Sequence, residues 1–215
     1  MNTPDGQART AALALAASAE TVPAAIVPYA SAGSLLIIGA EGPALAAAAE
    51  CQQQDSLSTT VLVVEPGATA IKQHRQDGLT VLGADVAKLT GYLGMFQLTL
   101  VAADSDAVLD EVTRGRQVFD IVLDLTTPAV IGSELPPPGY FAPGADVTAL
   151  QQALEEIPAL VGDFEKPQFF NYNASICAHG RSGMTACSRC LDACPTDAIT
   201  SLGNRIEVDP GLCQG

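Results

Sequence analysis

The stretch SLLIIGAEGPALAAAAECQQQ, Ser34 to Gln54, decides the fold. Ser34–Ile38 is a short, uninterrupted apolar run, too brief for a helix and flanked by glycine, so it reads as a strand. Gly39 and Gly42 make the turn, and an alanine-rich helix follows from about Pro43. A second run, TTVLVVEPG, places a strand at Thr60–Glu65, stopped by Pro66-Gly67. Strands that are apolar throughout, alternating with helical stretches, belong to a parallel sheet covered on both faces.

The pattern extends outward from there. Further strands are expected at Leu79–Leu82, Phe96–Val101 and Phe119–Leu125, with SDAVLDEVTRGR as a helix capped by Asp104 or Ser105. Residues 31–165 therefore read as a doubly wound α/β domain with a mainly parallel sheet. Residues 1–30 form an alanine-rich N-terminal segment, a helix or a ragged start rather than an export signal. From Thr126 five prolines in TTPAVIGSELPPPGYFAPGAD mark 126–145 as an extended loop over the surface. Asp146 caps the helix VTALQQALEEI, and GDFEKP reads as the boundary before a second domain, 166–215. There QFFNYNAS suggests a strand, and AITSLGNRIEVDP a hairpin turning at Gly203-Asn204.

Composition narrows the function. Of 215 residues 48% are hydrophobic and 16% charged, enough apolar matter for a real core. The net charge is −14, concentrated before residue 167. An acidic surface repels phosphate backbones and anionic headgroups, which excludes nucleic acid and membrane surfaces as natural partners and favours a basic protein. No apolar run reaches the roughly 18 residues of a spanning helix, so no membrane insertion is expected and the chain is placed in the cytoplasm.

The cysteines are Cys51, Cys177, Cys187, Cys190, Cys194 and Cys213, five of them in the last 39 residues. Such crowding without an export signal favours metal ligation over a disulfide framework. Cys51, on the apolar helix, is most simply a buried small residue. The others run Cys177-x9-Cys187-x2-Cys190-x3-Cys194-Pro195, with Cys213 eighteen residues further on. Thiolates at this spacing suit iron–sulfur clusters. A zinc site using Cys187, Cys190 and two of Cys177, Cys194, His179 or Cys213 is the chemical alternative.

With CPTDAI after the motif and VDPGLC leading to a new cysteine, residues 168–215 resemble the bacterial-type ferredoxins that carry two [4Fe–4S] clusters. The resemblance implies that Cys187, Cys190 and Cys177 bind one cluster, while Cys194 and Cys213 belong to the second. DPGLCQG resembles the opening of a second motif interrupted at Gly215, which is the expectation for a piece of a longer protein. Nine residues, AHGRSGMTA, stand where the family has two, which puts Cys177 in doubt and leaves His179 as its substitute. The implied function is electron transfer, with a redox partner protein and no catalytic residues of its own.

The turn at Gly39 and Gly42 resembles a Rossmann-type nucleotide site, with Glu65 as the ribose-binding acid. The pattern is incomplete: Glu41 occupies the place of the second glycine, no third follows, and Glu65 lies 26 residues after Gly39. The resemblance implies a degenerate scaffold, the rival being a flavin- or NAD(P)-dependent oxidoreductase with an iron–sulfur relay, and a third reading a zinc-stabilised interaction module. His74, in KQHRQD, reads as a solvated helix residue.

Overall fold

The computed structural model describes residues 3–18, 25–181 and 187–215. Residues 19–24 of the alanine-rich segment and 182–186 of the insertion between Cys177 and Cys187 therefore lie outside the described residues. The described residues are mixed α/β, with one six-stranded mixed sheet and three two-stranded sheets among them.

In chain order the elements are α1 (Pro4–Ala17), β1 (Ile26–Ser31), β2 (Ser34–Gly39), α2 (Glu41–Cys51), β3 (Ser58–Val64) and β4 (Lys72–Gln76). Then come β5 (Leu79–Ala84), β6 (Val86–Thr90), β7 (Gln97–Leu100), α3 (Ser105–Val112), β8 (Ile121–Asp124) and β9 (Tyr140–Phe141). The last are α4 (Val147–Glu156), β10 (Gly162–Pro167), α5 (Ala178–Arg181), α6 (Arg189–Asp192), β11 (Ile199–Ser201) and β12 (Ile206–Val208).

The central sheet has the order β4-β5-β3-β2-β8-β9. Its strands are parallel except β4, which pairs antiparallel with β5. β2 lies in the middle, and Leu35 to Ile38 are wholly buried. Successive residues of a strand face opposite ways, so this run feeds two cores. Leu35 and Ile37 pack with Ala44, Ala47, Ala48 and Cys51 of α2 and Ala153 of α4. Leu36 and Ile38 pack on the other face with Leu89, Leu98 and Leu109, from β6, β7 and α3. Each such side chain contributes about 1.5–3 kcal/mol. Alanines on α2 let that helix sit close to the sheet, which is how so few aromatics fill the interior.

Several expectations are corrected. Phe96–Val101 is not a strand of the parallel sheet; β7 pairs antiparallel with β6 as a separate hairpin that covers one face. Only Asp85 separates β5 from β6, and a parallel return needs a crossover of a dozen or more residues. KQHRQD is not helical but the polar edge strand β4, with exposed His74 opposite Val81. The turn joining it to β5 is Asp77-Gly78, both at positive φ (49° and 84°), the strongest short-range hairpin signal in the sequence. QFFNYNAS forms no strand. GDFEKP is β10, paired residue for residue with β1 from Ile26↔Pro167 to Ser31↔Gly162. α1 forms, capped by the Thr3 hydroxyl, but buries none of its residues.

Two buried carboxylates hold the loops at the ends of the sheet. Asp120, fully buried, accepts from the amides of Ala32 and Ser34 at 2.9 Å and pairs with Arg116 at 2.5 Å. Gly33 lies between those amides at φ +83°, and a Cβ there would land on the Ser56 carbonyl oxygen. Gly33→Ala is expected to lower the urea midpoint by the equivalent of at least about 2 kcal/mol, from left-handed strain plus that collision. A midpoint unchanged within about 0.5 kcal/mol would show that the β1–β2 turn relaxes freely.

Candidate functional site

The cysteine-rich segment folds back as the hairpin β11–β12, with Ile199 opposite Val208 and Gly203 at φ +85° in the expected turn. Cys187 and Cys190 flank the start of the single-turn helix α6. Cys194 follows it, and the sequence Pro195-Thr-Asp-Ala-Ile199 wraps round its sulfur. Asp197 adopts a left-handed φ of 54°, and the backbone amides of Thr196, Ala198 and Ile199 beside the thiol favour its charged form. The Thr196 hydroxyl lies 3.4 Å from the same sulfur. Burial pushes the Cys194 thiol up, but these hydrogen bonds outweigh it and leave it below its ordinary value.

The Tyr172 hydroxyl is pushed above its usual range first by Cys177, with burial and the Cys190 charge adding to the rise. Cys213 lies apart from that pair, beside Lys166, Tyr29 and Asp209. Cys194 lies against Thr196, and Cys213 against Lys166 of β10. Among the described residues, no three Cys, His, Asp or Glu form a group that could hold a metal ion.

His179 is wholly committed elsewhere. Its Nδ1 lies 2.7 Å from the Cys187 carbonyl and its Nε2 2.8 Å from the Ser201 hydroxyl, and the ring is buried. It ties the insertion to β11, and neither nitrogen is left for a metal. Cys51 is buried in the core, its thiol pushed up to about 11 by burial and then Glu50, an inert group.

The segment is clamped to the α/β unit by residues that carry no signal in the sequence. Tyr29 of β1 donates to the Gly211 carbonyl at 2.7 Å. Lys166 of β10 donates to the carbonyls of Gly211 (2.9 Å) and Cys213 (2.6 Å), its ammonium 5.1 Å from the centre of the Tyr29 ring. Tyr92 packs edge-on against Tyr29 at 5.7 Å. Its ring covers Gly211, where any Cβ would collide with it. The proline-rich stretch is the other jaw: Leu135 donates its amide to the Pro195 carbonyl at 2.9 Å, and Gln214 donates to that of Pro136 at 2.8 Å.

In the N-terminal turn, Gly39 packs closely, since a Cβ there would lie 3.0 Å from that of Leu125. A Cβ on Gly42 would meet nothing. Glu65 ends β3 on the side away from β2, lies over Gly83 of β5, and bonds to Lys72 of β4 at 2.6 Å.

A cavity of about 860 Å³ lies elsewhere, at the carboxyl ends of β3, β5 and β8. Its walls are residues 85–91, leading into and along β6, and 126–133 after β8, and Thr196, Asp197, Thr200 and Leu212 of the cysteine-rich segment close it. The second wall is held by Asp124, fully buried at the end of β8. That carboxylate accepts from the Thr126 amide (2.9 Å), the Thr126 hydroxyl (2.6 Å), the Val130 amide (2.6 Å) and the Tyr140 hydroxyl. Burial, then the bond to Asp124, pushes the Tyr140 hydroxyl far up, so it remains a donor.

Among the described residues no helix is long and apolar enough to cross a membrane. No protein-family model, curated protein or solved structure matches the chain.

Proposed function

We propose that the chain is an electron-transfer component that holds iron–sulfur clusters through Cys177, Cys187, Cys190, Cys194 and Cys213. The observation that carries this reading is the cradle of three amides and one hydroxyl around the Cys194 sulfur. Such donors stabilise a thiolate and, once it ligates iron, tune the potential of the cluster. The donors are of the right kind: each [4Fe–4S] cluster takes four cysteine sulfurs, and the five in this segment supply part of the set for two. Both Cys177 and Cys190 raise the Tyr172 hydroxyl, in keeping with ligands of one cluster. Bound there, the clusters supply one-electron transfer; the chain supplies thiolates, hydrogen bonds and a rigid mount.

The N-terminal unit is read as a degenerate Rossmann-like scaffold. Strand order supports this, since the chain winds outward from β2 through β3 to β5 on one side and to β8 on the other. Glu65 paired with Lys72 and Gly39 explained by Leu125 both argue against a working dinucleotide site. A cytoplasmic setting suits thiols kept reduced for metal, and the acidic surface suits a basic redox partner protein.

Anaerobic loading with ferrous iron and sulfide tests the reading. The expected result is a brown protein with iron and acid-labile sulfide in equal amounts and a broad visible band bleached by dithionite. Colourless protein with stoichiometric zinc would sink it in favour of a zinc-stabilised module, and a yellow protein releasing flavin on denaturation would favour the oxidoreductase.

A further inference from the structure

The cavity between the sheet and the cysteine-rich segment is unrelated to the residues discussed so far as a nucleotide site: Gly39, Gly42 and Glu65 take no part in its lining. Its volume, about 860 Å³, is that of a site for a drug-sized organic molecule. Its place, beyond the carboxyl ends of mainly parallel strands, is where open α/β sheets carry their ligands.

The walls are built before any ligand arrives. Asp124 fixes residues 126–130 through three hydrogen bonds, and Tyr140, bonded to Asp124, also accepts from the Ile131 amide at 3.0 Å. The opposite wall is β6, tied to β7 and closed at Gly91, whose φ of 119° only glycine adopts with ease. A preformed cavity costs its ligand little ordering.

The lining selects against charge. Valine, leucine, isoleucine, alanine and proline dominate, and the ionisable members are Lys88, Asp85 and Asp197. One lysine against two aspartates cannot neutralise a pyrophosphate, and no helix N-terminus opens among the described lining residues to help. An uncharged molecule with an apolar body and a few acceptor groups fits. Thr90, Thr127 and Thr200 offer hydroxyls to such acceptors.

The cavity also touches the cysteines through their neighbours. Thr196, in its lining, has its hydroxyl 3.4 Å from the Cys194 sulfur, and Leu212, also in the lining, precedes Cys213. We propose that this cavity binds an uncharged, planar, carbonyl-bearing redox ring, the chemistry shared by naphthoquinones and the flavin isoalloxazine. The choice of a redox ring rests on the electron-transfer reading; the existence of an organic binding site does not.

Calorimetric titration of the chain with riboflavin and, separately, with menadione tests it. The expected result is saturable micromolar binding of one ring, weakened at least about tenfold by Ala129→Phe or Gly132→Phe. Gly132 has open space around its Cβ position, so its variant folds, as an unchanged urea midpoint would verify. Saturation by riboflavin identifies an isoalloxazine site, and saturation by menadione a quinone site. No saturable binding of either, or binding that both variants leave intact, overturns the proposal. The two readings fail separately. A colourless protein that still binds a ring loses the clusters and keeps the cavity, whereas a brown protein that binds neither does the reverse.

Discussion

Asp124→Asn should cost the protein about 2–4 kcal/mol, read as a fall in the urea midpoint, and should abolish ring binding in the cavity. The carboxylate is fully buried and forms no ion pair among the described residues; four hydrogen bonds take the place of water. An amide fits the same space but has one acceptor oxygen. If that oxygen keeps Val130 and Tyr140, the NH2 group confronts the Thr126 amide, donor against donor. A buried donor left unsatisfied costs about 1–3 kcal/mol, and bonds to a charged acceptor are worth more than neutral ones. Residues 126–131 then lose the anchor that shapes one cavity wall. Tyr140→Phe is the milder companion, removing one donor and leaving three. An Asp124→Asn protein as stable as the parent would mean that the loop is held by its prolines and not by the carboxylate.

That carboxylate shows what the sequence conceals. β2, β3, β5 and β8 were legible because strands buried on both faces must be apolar at every position. Asp124 ends one of them and looks like any turn aspartate. β4 and β10 were illegible because KQHRQ and GDFEKP are mostly exposed and carry no hydrophobic period. Only the Asp77-Gly78 turn announced β4. The clamp on the cysteine-rich segment joins residues far apart in the chain, Tyr29 to Gly211 across 182 positions and Lys166 to Gly211 across 45, and no local pattern can encode that. The cysteine spacing is visible in the sequence for the opposite reason: four of those cysteines fall within one short segment. The PTDAI sequel was legible as part of a motif, yet its physical purpose, amides turned onto a sulfur, needed the left-handed Asp197 to be seen. His179 misled because both its nitrogens are spent within the segment.

Cys190→Ser should remove the part of the visible band that belongs to its own cluster, about half of the colour where two clusters load, by the weaker hold of a hard hydroxyl on iron. Cys51→Ser should leave the band intact, since that thiol sits in the core under α2. It should instead show as a modest loss of stability, about 1–3 kcal/mol for a buried hydroxyl without a partner. The contrast separates ligation from folding, because a variant that merely unfolded would lose colour at either position. An undiminished band in Cys190→Ser would defeat the cluster reading, and so would colour lost in Cys51→Ser at an unchanged urea midpoint. Thr196→Val then asks a finer question of the cradle. It keeps the shape and all three amides but removes the hydroxyl 3.4 Å from Cys194. Hydrogen bonds to cluster sulfurs favour the reduced, more negative state. The expected outcome is therefore an unchanged band with a lower midpoint potential. A potential that does not move would mean that the hydroxyl shapes the turn and leaves the sulfur alone.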